Sequence, residues 1–441
     1  MTGGFARGGA VVAVTAVLAV ATALLVLAPQ GIGPLLGLVA LGLAGAAALA
    51  WPEGAMAAWL ILVETTPEMW LSDMIGLHET IIAVLKIAGL VIIGLAALRR
   101  GVRMDRYNPG FAFLFMFVGG FMHGLWPGLT PLASLRSLVG SAAPFAAGFM
   151  RAGTRMRAAI IRCTISGPAV TVAFGLLLHA AGLRALYGVQ LGAIRLQASS
   201  SPAFLGGFAM IGIYAGLFAF AGSGRRREWG WIGLNFLILL ASGARSPLAL
   251  ASFATLATLV AVEAPGFGMR ARVSLLAIGG AAFGAVLLAG PALHFVRVID
   301  LVHLGDAGSL SNRNLIWPYF EAALSRSPWL GWGVGAGKVI VPLHSSIGRF
   351  LGTNAAHDEY LRIACEGGVP GALLLFGLLG LWLFRGSAAL PVGQRRLIRL
   401  VFLAFAVQSL TDNTLIATTS LTFFTWARAV FINPDEGSAP A

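Results

Sequence analysis

The feature that most constrains this chain is the recurrence of apolar runs long enough to cross a bilayer, with the charges held in the segments between them. Such runs occupy roughly 9–28, 32–50, 54–66, 79–98, 109–124, 131–150, 157–182, 203–222, 229–244, 247–263, 273–292, 367–384, 396–412 and 414–431. Across the 441 residues, 58% are apolar and 11% are charged. A soluble globular chain carries about 25% charged residues. The pattern therefore excludes an ordinary soluble protein and predicts an all-α, polytopic membrane protein with about 12–14 transmembrane helices. The run at 9–28 is long for a signal peptide and has no clear cleavage site, so it reads as a retained helix.

The net charge of +13 would point to nucleic acid in a soluble chain, but topology accounts for most of it. With the N-terminus on the cytoplasmic side, the inner segments carry Arg99, Arg100, Arg103 and Arg106, then Arg151, Arg155 and Arg157, then Arg225, Arg226 and Arg227. Arg270 and Arg272 follow, and then Arg385, Arg395, Arg396 and Arg399. The short outer loops 67–78 and 124–130 contain neither Lys nor Arg. That alternation is the positive-inside rule, and it predicts a multi-pass membrane protein with no role for nucleic acid. Lys86 and Arg136 fall within spans and are expected to face the protein interior, with Glu64 a possible partner for Lys86. The expected division is helices over 1–292, a large outer segment over 293–366, further helices over 367–432 and a disordered tail over 433–441. Cys163 and Cys365 fall on opposite sides and do not pair.

The outer segment of 74 residues is too long for a plain connector. Helical spacing of Leu315, Ile316, Tyr319, Phe320, Ala323 and Leu324 predicts a helix capped by Ser309 or Ser311 and ended by Pro328. Arg313 in its first turn opposes the helix dipole, a poor choice for stability alone. The run Gly331, Gly333, Gly335, Gly337, Lys338 is not a phosphate loop, because Trp332 and Val339 stand where that motif needs Gly and a hydroxyl. It reads instead as a tight turn anchored by Trp329 and Trp332. A short helix is expected from His357 to the Gly367–Gly368 pair, with Asp358 and Glu366 each four residues from Arg362. His357, beside acids at the membrane edge, is a candidate proton acceptor.

Taken in order, these segments resemble the bacterial O-antigen ligase and polymerase superfamily over about 195–415. The pattern H-x-x-Y-L-R-x-x-x-E-x-G-x-x-G is matched by His357, Tyr360, Leu361, Arg362, Glu366, Gly368 and Gly371. Upstream, Arg313, Trp317, Pro328, Gly331 and Gly333 match its R-x-x-[LI]-W and P-x-x-G-x-G elements. Ser242, Gly243, Ala244 and Arg245 match its S-x-x-R turn, and Arg195, Leu196 and Pro202 match its R-L-x-x-x-x-x-P stretch. The chain departs from the family pattern at Asp358 and Ala203, where asparagine is usual.

The resemblance implies a GT-C-like membrane glycosyltransferase with one large periplasmic loop. It would move a glycan from a polyprenyl (undecaprenyl) diphosphate to lipid A–core, or polymerise repeat units of O-antigen or exopolysaccharide. No cofactor or metal is implied. A diphosphate leaving group needs fixed positive charge, and guanidinium binds phosphate oxygens bidentately. Arg245 and Arg313 are thus expected to hold the diphosphate, with Arg195 and Arg136 assisting. Tyr360, Arg362 and Glu366 join the candidate substrate-binding set. His357 would be the general base of an inverting displacement, with Asp358 or Glu366 the acids nearest to orient it. A transporter would instead show inverted repeats and polar sites at the midplane, and a flippase-like helper would share the lipid without the chemistry.

Overall fold

The computed structural model describes residues 42, 45, 46, 48–75, 78–190, 193–293, 315–351 and 353–432. The run 9–28, most of the run 32–50, Ser309, Ser311, Arg313 and the tail from 433 lie outside the described residues. The rest is almost wholly helical. In chain order it comprises α1 (Pro52–Glu64), α2 (Pro67–Ile75), α3 (His78–Arg100), α4 (Gly110–His123), α5 (Pro131–Ala142) and α6 (Thr154–Ala180). A two-stranded antiparallel hairpin follows, β1 (Tyr187–Gln190) and β2 (Ala193–Leu196), with Gly188 opposite Arg195. Then come α7 (Pro202–Ser223), α8 (Arg227–Ser242), α9 (Arg245–Ala261), α10 (Met269–Leu293), α11 (Trp317–Arg326), α12 (Ser346–Leu351), α13 (Glu359–Gly386), α14 (Val392–Gln408) and α15 (Thr419–Val430).

Among the described residues, four helices are long and apolar enough to cross a membrane: the Ile81–Leu98 part of α3, then α6, α7 and α13. Helices α4 and α9 are apolar but shorter. Several expected spans are therefore divided. The run 131–150 breaks after Ala142 into a 3-10 stretch containing Pro144, whose ring cannot continue an α-helix. The run 414–431 forms a helix only from Thr419. Two expected loops are structured instead: 67–78 contains α2, and 183–202 contains the hairpin.

Helix α7 is the axle. Ser201 caps it by accepting from the Phe204 amide at 3.3 Å, Pro202 opens its first turn, and Gly224 ends it in the left-handed region. It is apolar on every face, and a helix of that kind is stable only when surrounded. Helices α6, α8, α9, α14 and α15 surround it. The aromatic core around Phe145, Phe208, Phe218, Phe424 and Trp426 is its consequence. A separate apolar cluster of Ile316, Phe320, Ile340, Val341, Ala356 and Cys365 holds the outer segment over the bundle.

Helix α13 runs the length of the molecule but is broken at Gly368 (φ 66°, ψ 179°). Its freed backbone groups are matched one by one. The Cys365 and Glu366 carbonyls accept from the Trp332 and Gly333 amides at 2.9 Å, and the Val369 amide donates to the Pro328 carbonyl at 2.7 Å. The glycine run is thus a backbone splint for a helix break. A Cβ on Gly331 would sit 2.5 Å from the Glu366 carbonyl group, so only glycine permits the approach. Trp329 is 72% exposed, whereas Trp332 is tied inward, its indole donating to the Ala323 carbonyl at 2.7 Å.

The arginine-rich turns gather at one end of the bundle. There the Arg103 amide donates to Phe149, Arg385 lies over the Tyr107 ring, and the Gln394 side chain reaches the Phe218 carbonyl. His357 and the capped start of α13 lie at the other end.

Candidate functional site

The loop before α13 positions the histidine. Asp358 is the helix N-cap, accepting from the Leu361 amide at 3.0 Å, so the helix starts at Glu359 and not at His357. His357 itself is held at φ 51°, a conformation costly for a residue with a Cβ. The described non-glycine residues with such backbone are Thr66, Ala198 and His357. The Thr66 hydroxyl reaches the Ser199 carbonyl beside Ala198, which ties two of these strained points together.

The turn between α14 and α15 grips the histidine. The His357 amide donates to Asn413 Oδ1 at 3.1 Å, which leaves the Asn413 amide group 3.4 Å from Nδ1. Asp412 Oδ1 lies 3.9 Å from Nδ1 and accepts from the Asn413 amide. The Thr353 hydroxyl lies 3.3 Å from Nε2. The ring is half-buried, with one nitrogen facing a carboxylate and a carboxamide and the other facing a hydroxyl. That arrangement can take a proton at Nε2 and balance the resulting charge through Asp412. The orienting acids expected from sequence are not the ones present. Asp358 is occupied as a cap, and Glu366 points into the helix.

Arg362 is not at the surface. It is 2% exposed and donates to both oxygens of Glu359, at 2.9 and 2.6 Å, and to Glu366 Oε1 at 2.9 Å. Its expected partner Asp358 is replaced by Glu359. Glu359 also accepts from the Leu415 amide at 3.0 Å, and its own amide donates to the Ser409 carbonyl at 2.8 Å. This buried triad pins α13 to the turn that holds His357, which makes Arg362 and Glu366 structural groups rather than substrate contacts. Tyr360 has a similar role: its hydroxyl donates to the Ala406 carbonyl at 3.0 Å and its ring packs on Phe376.

The arginines converge from the other side. Arg195 is 7% exposed, and its Nε donates to the Ser242 carbonyl at 2.7 Å. Gly243, at φ 63°, ends α8, and Arg245 opens α9 just beyond it. The hairpin therefore delivers Arg195 onto the turn that carries Arg245. Two adjacent glycines of α7 touch this turn and the start of α15. A Cβ on Gly206 would meet Ala244 at 2.4 Å, and one on Gly207 would meet Thr419 at 2.9 Å. Beside Gly207 a cavity of about 30 Å³, enough for one water, is lined by Asp412, Asn413, Thr414 and Thr419. The turn that carries Arg245 thus lies against α7 at Gly206, and the α14–α15 turn that holds His357 lies against it at Gly207.

One of the two in-span cations departs from expectation. Arg136 is exposed on the short helix α5 rather than facing the interior. Lys86 donates to the Gly140 carbonyl at 3.1 Å, while neither carboxylate oxygen of Glu64 has a hydrogen-bond partner, so the two do not bond to each other. On α2, burial pushes the Glu68 carboxyl above the usual carboxylate range, against a hydrogen bond from Thr418 at 2.7 Å. Among the described residues no three His, Cys, Asp or Glu side chains gather as a metal site.

Sequence reasoning missed Asp412, Asn413 and Thr353. A signal was present: Thr411-Asp412-Asn413-Thr414 is a polar island between two apolar runs. Residues 230–376 match the family model described as O-antigen ligase. That stretch includes Arg245, the glycine splint, His357 and the Arg362 triad. No curated protein matches the chain.

Proposed function

From the premise of an O-antigen ligase-like family domain over residues 230–376, we propose that the protein is a glycosyltransferase. It transfers a glycan from a polyprenyl diphosphate carrier to an acceptor hydroxyl at the outer face of the inner membrane. The observation that carries this reading is that adjacent residues of α7, Gly206 and Gly207, pack against the turn that carries Arg245 and the turn that holds His357. Fixed guanidinium groups beside a half-buried imidazole suit a reaction in which an anion leaves as a hydroxyl loses its proton.

In the proposed reaction the acceptor oxygen attacks the anomeric carbon as its proton passes to His357 Nε2. The bond from that carbon to the diphosphate oxygen breaks, and its electron pair stays with the diphosphate. Arg245 and Arg195 stabilise that charge, with Arg313 assigned the same role. Asp412 balances the imidazolium. A single displacement by one base inverts the anomeric centre. The arginines supply the charge that a metal would otherwise supply, so transfer continues in excess chelator.

Ligation to lipid A–core is the reading we favour, because one large loop carries the histidine; repeat-unit polymerisation uses the same chemistry. A strain lacking the protein separates them when its surface glycans are run on a gel. Bare core with polymer held on the carrier means ligase, and core bearing a single repeat means polymerase. An unchanged glycan profile would contradict both.

A further inference from the structure

We propose that the end of the bundle opposite His357 carries a second site, a pocket for a phosphate group such as that of an anionic phospholipid. A cavity of about 200 Å³ there is lined by Arg103, Arg106, Arg385 and Arg428, with Asp105 the one acid among its lining residues. Four guanidinium groups thus face one carboxylate. Asp105 is fixed in place, accepting from the Trp382 indole at 2.8 Å and from Asn108 at 3.4 Å.

Topology alone does not explain this arrangement. Arginines that only set orientation need lie no deeper than the aqueous loops. Arg428 belongs to α15 and is 4% exposed, and Arg385 is drawn over the Tyr107 ring at 5.7 Å. These groups come from three separate parts of the chain: the turn after α3, the end of α13 and the end of α15. Guanidinium groups bind phosphate oxygens in bidentate fashion.

The surroundings favour a lipid as the source of that phosphate. The lining residue Met104 is an apolar side chain 73% exposed. Basic pockets between membrane helices commonly take anionic headgroups while the acyl chains lie along apolar helix faces.

The test uses the full-length protein purified in detergent. Thermal unfolding is followed with added phosphatidylglycerol, phosphatidylcholine or inorganic phosphate, and retained lipid is counted by native mass spectrometry. Arg106→Gln/Arg385→Gln alters two exposed pocket arginines. Arg225→Gln/Arg226→Gln removes the same charge at the same end outside the pocket.

The expected result is a rise in Tm with phosphatidylglycerol but not phosphatidylcholine, lost in the first variant and kept in the second. Stabilisation by inorganic phosphate alone, with the same variant dependence, would keep the phosphate site and assign it to a soluble ligand. Equal stabilisation of both variants, or none of the wild type by either phosphate source, would overturn the proposal. Because neither variant touches His357 or Arg245, glycan transfer and phosphate binding fail independently.

Discussion

At the residue scale the site rests on a histidine held in a strained backbone by a neighbouring turn. Replacing His357 by Ala removes the proposed base, and the rate of transfer should fall by about 10²–10⁴-fold at unchanged protein level. Asp412→Asn keeps the shape but loses the charge that balances the imidazolium. Its expected effect is a smaller drop in kcat with the Tm preserved, read from steady-state kinetics and a melting curve. Arg362→Ala behaves in the opposite way. It leaves Glu359 and Glu366 buried without their cation, a change that costs about 3–5 kcal/mol, so protein yield and Tm should fall before any kinetic effect is measured. Motif spacing singled out His357, Arg195 and Arg245 as candidates, and a diphosphate donor asks for those residue types. It misassigned Arg362 and Glu366, because an i, i+4 pair reads the same in sequence whether it faces water or is sealed inside. Asp412 and Asn413 escaped because their link to His357 spans more than fifty residues and exists only once α13 and α14 are antiparallel.

At the scale of elements, the glycine run and the break in α13 are one device. The run's rejection as a phosphate loop followed from Trp332 and Val339, but its partner was not legible. Gly367–Gly368 read as the end of one helix and the start of another, and the backbone does leave the helical region at Gly368, between the two helical pieces of α13. Gly368→Ala should test the device. Its φ of 66° penalises a side chain, and a Cβ there would lie 2.5 Å from the Trp329 carbonyl group. The expected loss exceeds about 2 kcal/mol, visible as a lower Tm, while Gly377→Ala in the same helix should be neutral or mildly stabilising because its Cβ meets nothing. A Tm unchanged by Gly368→Ala would mean that the splint does not hold the two helical pieces. The 183–202 segment shows the limit of apolar patterning: a hairpin of four-residue strands is too short to register against the helical runs around it.

For the whole molecule, the all-helical class was legible because lipid leaves few other ways to satisfy a backbone. The number of spans was less so, since polar islands and internal prolines cut apolar runs into helices shorter than a bilayer. Charge segregation survives in three dimensions, with the arginine turns at one end and His357 at the other. Cysteine substitution checks which end faces out. A Thr353→Cys variant should react with an impermeant maleimide on intact cells, and an Arg226→Cys variant only after the membrane is opened; labelling of both from one side would reject the topology. The proposed chemistry is tested most directly by purified protein given a polyprenyl diphosphate-linked glycan and an acceptor in excess chelator. The expected result is transfer with inversion by the wild type, donor binding without transfer by His357→Ala, and weakened donor binding by Arg245→Ala. Wild-type transfer by a folded His357→Ala protein would contradict the account.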